Sequence, residues 1–482
     1  MNIKLIIRTI GYLVLFEAIL MALCVIAGIY FEEDLDGFLW SIAITGGFGV
    51  LCTIFCKNCP KTTVGRKEGY FIVGTVWLIF SLIGTMPFLF SHSLSSFTDA
   101  FFEAMSGFTT TGATVFSDIE ILPKQIILWR SLMQWIGGMG IIVLTVAIIP
   151  MIGMGGMQLY TAEANGPSKD KLHPKIKDTA SRLYLIYIAC TILQIILLMV
   201  GGNSFFESTL LALSSISSGG FSSQNASVMN TTPYTQYVVM FFMFISGVNF
   251  VILYLAIRGK FKLVAKDDEL KNYILVILGV TLLIIAINIW KQGAFTDVEY
   301  EIRKILFQVI AFLTTTGFTI TDYSLMPSAS MMLFFFITFF GACAGSTSGS
   351  IKIVRITVLI KNSYLGLKEI LHPNAVLTLR LSHKPIEKKV ISNVYAFIVM
   401  YIAIFLLGAL ALTFFGHDFY TAFSASALSI SNVGIGFCPS GMLVEFSSFP
   451  AASKILMAAL MMIGRLEIFT VLILCLPSFW KK

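Results

Sequence analysis

The chain has 482 residues, of which 57% are hydrophobic and only 12% charged, with a formal net charge of +7 and a mean hydropathy of +0.86. That balance excludes a soluble globular or disordered chain and describes a polytopic membrane protein. The positive excess is concentrated in the loops between apolar runs, so it reads as a topology signal and gives no argument for nucleic acid; no zinc-finger or helix-turn-helix spacing accompanies it.

Runs of membrane length are predicted at 3–30, 38–56, 70–90, 126–150, 183–201, 236–257, 272–290, 330–357, 391–415 and 452–476, ten crossings in all. Each is long enough, at helical rise, to cross a hydrocarbon core of about 30 Å. Lys4 and Arg8 ahead of the first run resemble a secretion signal, but Glu17 interrupts it and no A-x-A cleavage site follows. An uncleaved first helix is expected. Shorter amphipathic segments near 97–108, 205–216, 302–313 and 419–430 cannot span and are predicted to enter and leave by one face. Segments 1–8, 57–67, 156–182, 258–271, 352–389 and the final Lys481-Lys482 hold 26 of the 33 Lys and Arg. By the positive-inside rule both termini face the cytoplasm.

After each short segment comes a loop rich in hydroxyls or glycine. The four read Phe108-Thr-Thr-Thr-Gly112-Ala-Thr114, Ile216-Ser-Ser-Gly-Gly220-Phe-Ser222, Leu313-Thr-Thr-Thr-Gly317-Phe-Thr319 and Ile430-Ser-Asn-Val-Gly434-Ile-Gly436. Their glycines are 108, 97 and 117 residues apart, the mark of one unit repeated. Non-helical backbone at membrane depth is tolerated only when buried in protein or lining a water-filled path. A dehydrated cation needs oxygens in place of its water, and rings of backbone carbonyls supply them. Glycine accepts the positive φ that such a conformation requires, and half-helix C-termini add partial negative charge. The fold class expected is therefore an all-α polytopic membrane protein: four pseudo-symmetric helix–pore-helix–filter–helix repeats around a central pore, plus an N-terminal helix pair. The pair occupies 1–68, and the repeats 69–165, 166–260, 261–380 and 381–482. The filter is assigned to Thr110, Thr111 and Gly112, Ser218, Gly219 and Gly220, Thr315, Thr316 and Gly317, and Asn432, Val433 and Gly434.

The chain resembles the Trk/Ktr/HKT superfamily of potassium transporters over essentially its whole length, and most nearly the bacterial TrkH branch. Beyond the loops, the resemblance is carried by Gln134-Trp-Ile-Gly-Gly-Met-Gly140, Gly341-Ala-Cys-Ala-Gly-Ser-Thr-Ser-Gly-Ser-Ile-Lys352 and Met462-Ile-Gly-Arg-Leu-Glu-Ile-Phe-Thr470. It implies K⁺ as the transported ion, an inner-membrane location, uptake down the electrochemical gradient or by symport with H⁺ or Na⁺, a homodimer, and a cytosolic nucleotide-binding regulatory ring (TrkA-like). Glycine at all four filter positions is what K⁺-selective members carry, so Gly112 argues for K⁺. The second and fourth loops depart from the Thr-Thr-Thr-Gly form, and a pseudo-fourfold ring is expected.

Inside 330–357 the run Gly341-Ala-Cys-Ala-Gly345-Ser-Thr-Ser-Gly349-Ser is glycine-rich and polar on every face. Glycines four apart also suit close helix contact, but hydroxyls all round favour a partly unwound segment under the filter. The resemblance makes this stretch an intramembrane gating loop: Gly345, Ser346, Thr347, Ser348 and Gly349, followed by the basic Lys352 and Arg355. Arg465, placed about midway along 452–476, is expected to face protein or water beside that loop or to pair with Glu467 or another acid, and to act as an electrostatic barrier in the closed pore.

Other polar residues carry weaker expectations. Glu103 supports the filter or outer vestibule, or makes a simple hydrogen bond; Glu17 pairs with another helix; Asn249 hydrogen-bonds between helices. Glu32, Glu33, Asp34 and Asp36 form a solvated loop that could also attract cations. Cys56 and Cys59 have metal or redox spacing but no second pair, so two ordinary thiols are expected. No GxxxxGK[ST] occurs and no organic cofactor is expected, so a nucleotide would act through a partner. The basic segments 156–182 and 352–389 could serve that partner or anionic lipid. Two alternatives remain: a poorly selective Na⁺/K⁺ pathway, and a polytopic lipid-modifying enzyme. The latter would want an intramembrane acid–base or metal cluster, whereas the histidines at 92, 173, 372, 383 and 417 all fall in loops or at helix ends.

Overall fold

The computed structural model describes residues 2–57, 66–143, 176–293, 295–322, 325–375, 377–382, 384–436 and 446–481. Helices α1 (Ile3–Tyr30) and α2 (Asp36–Phe55) form an antiparallel pair. They are followed by α3 (Arg66–Gly84), α4 (Met86–Phe90), α5 (Phe97–Phe108) and α6 (Lys124–Val143). Then come α7 (Ile176–Val200), α8 (Phe205–Ile216), α9 (Pro233–Ser246), α10 (Phe250–Ile257) and the single turn α11 (Phe261–Val264). The third group is α12 (Asp268–Gln292), α13 (Val298–Leu313), α14 (Ser328–Thr338), β1 (Phe340–Gly341), β2 (Ile351–Lys352) and α15 (Ile353–Leu371). A hairpin of β3 (Arg380–Leu381) and β4 (Lys384–Pro385) leads to α16 (Lys388–Phe414), α17 (Phe419–Ser431), α18 (Ala451–Arg465), α19 (Phe469–Cys475) and α20 (Pro477–Trp480).

Among the described residues six helical spans are long and apolar enough to cross a membrane: α1, α2, α3 with α4, α7, α12 and α16; counting each of two bent pairs as one span makes eight, and the end of the predicted run 126–150 lies outside the described residues. The sequence predicts ten, and three of those are interrupted. The run 236–257 bends by 105° between α9 and α10, and 452–476 bends by 114° between α18 and α19. The run 330–357 stops at Thr338 and resumes as helix only at Ile353. Hydropathy sees apolar length; it does not see that another segment supplies the hydrogen bonds a broken helix loses. Large apolar side chains such as Ile19, Trp40, Leu275 and Leu407 are exposed, the pattern of surfaces that meet lipid.

The half-helices α5, α8, α13 and α17 are 12, 12, 16 and 13 residues long. At about 1.5 Å per residue none spans a core of about 30 Å. Three start on side-chain caps: Ser204 accepts from the Glu207 N–H, Asp297 from Tyr300 and Asp418 from Thr421. Their inner ends are buried in aromatic and aliphatic clusters. Phe108 lies between Phe80 and Trp129, and Phe312 stacks on Phe334.

The N-terminal pair is held by close backbone approach. A methyl group at Gly11 would lie 2.8 Å from Cys52 Cβ, and one at Gly49 2.8 Å from Leu15 Cγ. Gly49→Leu is expected to overpack this contact and destabilise the fold by about 1–3 kcal/mol. The check is a lower thermal midpoint in detergent.

Candidate functional site

All four half-helices end in the same hydrogen-bond pattern. The N–H groups of Thr111, Gly219, Thr316 and Val433 reach back five residues to the carbonyls of Ser106, Ser214, Ala311 and Leu428, at 2.8, 2.8, 2.9 and 3.1 Å. This is a Schellman cap, which needs a left-handed residue just before the closing N–H. Glycine usually fills that place. Here it is Thr110, Ser218, Thr315 and Asn432, with φ of 52, 57, 58 and 55°. Gly112, Gly220 and Gly317 return to positive φ two residues later, at 85, 80 and 77°, whereas Gly434 is not among the positive-φ residues. Helical carbonyls are turned back by Thr109, Ser217 and Thr314, whose hydroxyls bond Met105, Leu213 and Ile310 at 2.6, 2.8 and 2.7 Å.

The four loops meet head to tail. A methyl on Gly112 would overlap the Gly219 carbonyl oxygen, and one on Gly220 would overlap the Thr316 oxygen. On Gly317 it would lie 3.3 Å from the Gly434 nitrogen, and on Gly434 2.6 Å from the carbonyl oxygens of both Thr111 and Gly112. First touches second, second third, third fourth, and fourth first. The ring is closed and built of backbone. Asn432 adds a side-chain tie across the last joint, donating Nδ2 to Thr111 Oγ1 at 3.0 Å and to the Met461 carbonyl at 2.9 Å.

On one side of the ring Glu103 and Arg130 form a buried ion pair at 2.8 Å. Glu103 also accepts from Thr114 Oγ1 (3.0 Å) and the Val115 N–H (2.9 Å), so it fixes the exit of the first loop. Arg130 reaches the Ser222 carbonyl at 3.4 Å and lies over Phe221, 4.1 Å from the ring centroid, tying the second loop to the first. Gln134, one turn along α6, accepts from the Phe221 N–H at 3.1 Å. Farther out, Asn225 donates to Asp118 at 2.8 Å and accepts the Ile119 N–H at 2.8 Å. The Asn225 amide holds the Asp118 carboxyl below the usual carboxylate range. Asp118 therefore stays negatively charged at neutral pH.

The opposite side is closed by the segment between β1 and β2. It is threaded into the break between α9 and α10: Cys343 N–H donates to the Gly247 carbonyl (3.0 Å), Thr347 N–H to Ser246 (3.3 Å) and Phe250 N–H to Gly345 (3.2 Å). Three left-handed loop residues meet it. Ser218 and Thr347 hydroxyls are 2.7 Å apart, Gly349 N–H donates to Thr315 Oγ1 at 2.7 Å, and a methyl on Gly349 would fall 3.0 Å from Asn432 Cβ. Thr110 Oγ1 is buried without a partner. Arg465 donates Nη1 to the Thr347 carbonyl at 2.7 Å and Nη2 to Gly137 at 3.3 Å, and Lys352 donates to the carbonyl and hydroxyl of Ser348.

The sequence-predicted residues of loops and gate thus converge on one place, with several corrections of detail. Arg465 is not in mid-helix: it is the last residue of α18, where Glu467 and Ile468 take φ of 56 and 52° and turn the chain. Glu467 pairs with Arg355 at 2.5 Å, leaving Arg465 to backbone carbonyls. Asn249 caps α10 through the Val251 N–H (2.9 Å) where a hydrogen bond between helices was expected. Glu33 is no solvated loop residue; it accepts from the Lys124 and Gln125 N–H groups at 2.5 and 3.0 Å and caps α6. Glu17 is fully buried with neither carboxyl oxygen hydrogen-bonded. Gly341, Gly345 and Gly349 do not line one helix face, since the chain there is not helical. Arg130 carries no expectation from the sequence, although an arginine inside the run 126–150 predicted as spanning was a signal for it. Cys56 is buried, while Cys59, His173, His383 and most of 156–182 lie outside the described residues.

A family model described as "TrkH: Cation transport protein" matches residues 35–482. The Trk system potassium uptake protein TrkH of Escherichia coli K12 is 34% identical, and that of Vibrio parahaemolyticus 35%, each comparison covering 100% of both chains. TrkI of Halomonas elongata is 33% identical over 99% of this chain and 97% of its own. The crystal structure of the potassium transporter TrkH from Vibrio parahaemolyticus superposes with a TM-score of 0.90 at 32% identity, covering 100% of both chains.

Glu103→Leu leaves Arg130 buried and unpaired, a loss of about 3–5 kcal/mol. Adding Arg130→Met is expected to restore more than half of it. Thermal denaturation of the two single variants and the double variant in detergent measures this coupling.

Proposed function

The chain belongs to the TrkH family of cation transport proteins, a Trk-type potassium transporter subunit of the inner membrane and not an enzyme, and from that premise we propose that its ring of four loops is the K⁺ selectivity filter. The observation that carries the reading is the closed backbone ring. Carbonyl oxygens of Thr111, Gly219 and Thr316 lie at its joints, where they can replace the hydration shell of a cation. The ends of four half-helices converge on it, and their partial negative charge favours the ion without binding it irreversibly.

Conduction then requires the segment Gly345–Gly349 to withdraw. It sits against the second, third and fourth loops, and Arg465 holds it by the Thr347 carbonyl. A guanidinium at 2% exposure, with no carboxylate in ion-pair range among the described residues, repels a cation leaving the filter. In this reading the closed state is a plug of backbone reinforced by a positive charge. Both termini face the cytoplasm, and the basic segments receive a nucleotide-binding ring, the chain acting as a homodimer.

Radioactive rubidium uptake into proteoliposomes tests the filter. Competition by K⁺ but not by Na⁺ or Li⁺ is expected. Gly112→Ser, which strains a positive φ and overlaps the Gly219 oxygen, is expected to reduce discrimination about tenfold, equal to roughly 1.4 kcal/mol. Arg465→Ala is expected to raise flux in the absence of any partner. Competition by Na⁺ as strong as that by K⁺, unchanged in Gly112→Ser, would favour the poorly selective alternative; unchanged flux in Arg465→Ala would remove the barrier role.

A further inference from the structure

Three consecutive acids open α12, and each has a different partner. Asp267 caps the helix, accepting the Leu270 N–H at 2.7 Å. Asp268 accepts the Ser382 N–H at 2.9 Å and Lys361 Nζ at 3.2 Å, while its own N–H donates to Ser382 Oγ at 3.2 Å. It therefore binds the β3–β4 hairpin and helix α15 together. Glu269 points the other way. It is only 4% exposed and accepts the N–H of Ala344, inside the plug, at 2.6 Å.

Other N–H groups between β1 and β2 take neutral acceptors. Cys343 and Thr347 bond the broken α9–α10 segment, Gly349 bonds the third loop, and Ala342 and Ser346 bond Ser348 and Cys343 within the plug itself. Ala344 is the point where a carboxylate takes the bond, and charge-assisted hydrogen bonds are about twice as strong as neutral ones. Adjacent residues in one capped turn move as a unit, so a pull on the hairpin through Asp268 is transmitted to Glu269.

We infer that Glu269 is a positioning residue for gating: a latch that holds the plug at Ala344, with the β3–β4 hairpin as its handle through Asp268. This rests on reading the plug as the gate. The hairpin lies at the face that the charge pattern assigns to the cytoplasm, so a regulatory partner that displaces it would release the plug without touching the pore.

Cys343 is a native reporter, fully buried beside Ala344; Cys24, equally buried in α1, reports general loosening. Wild-type protein and variants in proteoliposomes are treated with a small maleimide, each cysteine is read by mass spectrometry, and rubidium flux is followed in parallel. Glu269→Ala is expected to speed Cys343 labelling about tenfold, the scale set by losing a hydrogen bond to a charged acceptor. Glu269→Gln keeps an acceptor oxygen but loses the charge, and is expected to fall between wild type and Glu269→Ala, at about threefold. Asp268→Ala should shift labelling in the same direction as Glu269→Ala. Unchanged Cys343 labelling in Glu269→Ala, equal effects of the Ala and Gln variants, or a matching rise at Cys24 would each overturn the latch. No shift in Asp268→Ala would overturn the handle. Faster Cys343 labelling without faster flux would uphold the latch and refute the gate reading.

Discussion

Backbone N–H and C=O groups left unpaired away from water cost several kcal/mol each, and the described residues place four loops, a plug and two helix breaks of non-helical backbone deep among the helices. The structure answers that constraint with backbone itself. Each half-helix closes on a Schellman cap, each loop abuts the next, and the plug fills the hydrogen-bonding gap where α9 and α10 part. None of these pieces is satisfied alone. The ring, the broken helices and the plug are one solution to one accounting problem, and the glycines mark where backbones come too close for a side chain.

That mutual dependence explains why the side chains around the ring are short and polar. Asn readily, and Ser and β-branched Thr where the surrounding structure imposes it, occupy left-handed positions and still bond a neighbour, which glycine in the same place could not do. Ser218, Thr315 and Asn432 use that capacity: the first two reach the plug, and the third ties the last joint of the ring. The filter and the plug therefore share hydrogen bonds, so a change in one is felt by the other. The ion pair of Glu103 and Arg130 performs the corresponding task on the other side of the ring, linking the first and second loops.

Much of this was legible in the sequence, and the failures have physical causes. The half-helices showed themselves by length and amphipathicity, and the loops by glycine and hydroxyls set between apolar runs at similar spacing. The unwound segment after Thr338 was legible because its polar residues cover every face. The bends at Gly247–Asn249 and after Arg465 were not, because local propensity does not demand them. The first is stabilised by a plug about a hundred residues away in sequence, and the second places Ile468, a β-branched residue, at a φ of 52°. A β-branched residue rarely adopts that conformation unless its surroundings impose it. The same limit hid Glu269, whose partner is a backbone amide in another element.

The central claim is that the axis between Gly112, Gly220, Gly317 and Gly434 holds a dehydrated cation. The most direct measurement is anomalous diffraction from crystals grown in rubidium or thallium salts. The account predicts anomalous density on that axis, level with the carbonyls of Thr111, Gly219 and Thr316, displaced by K⁺ and not by Na⁺. An empty axis, or density confined to the acidic outer mouth near Asp118, would contradict it.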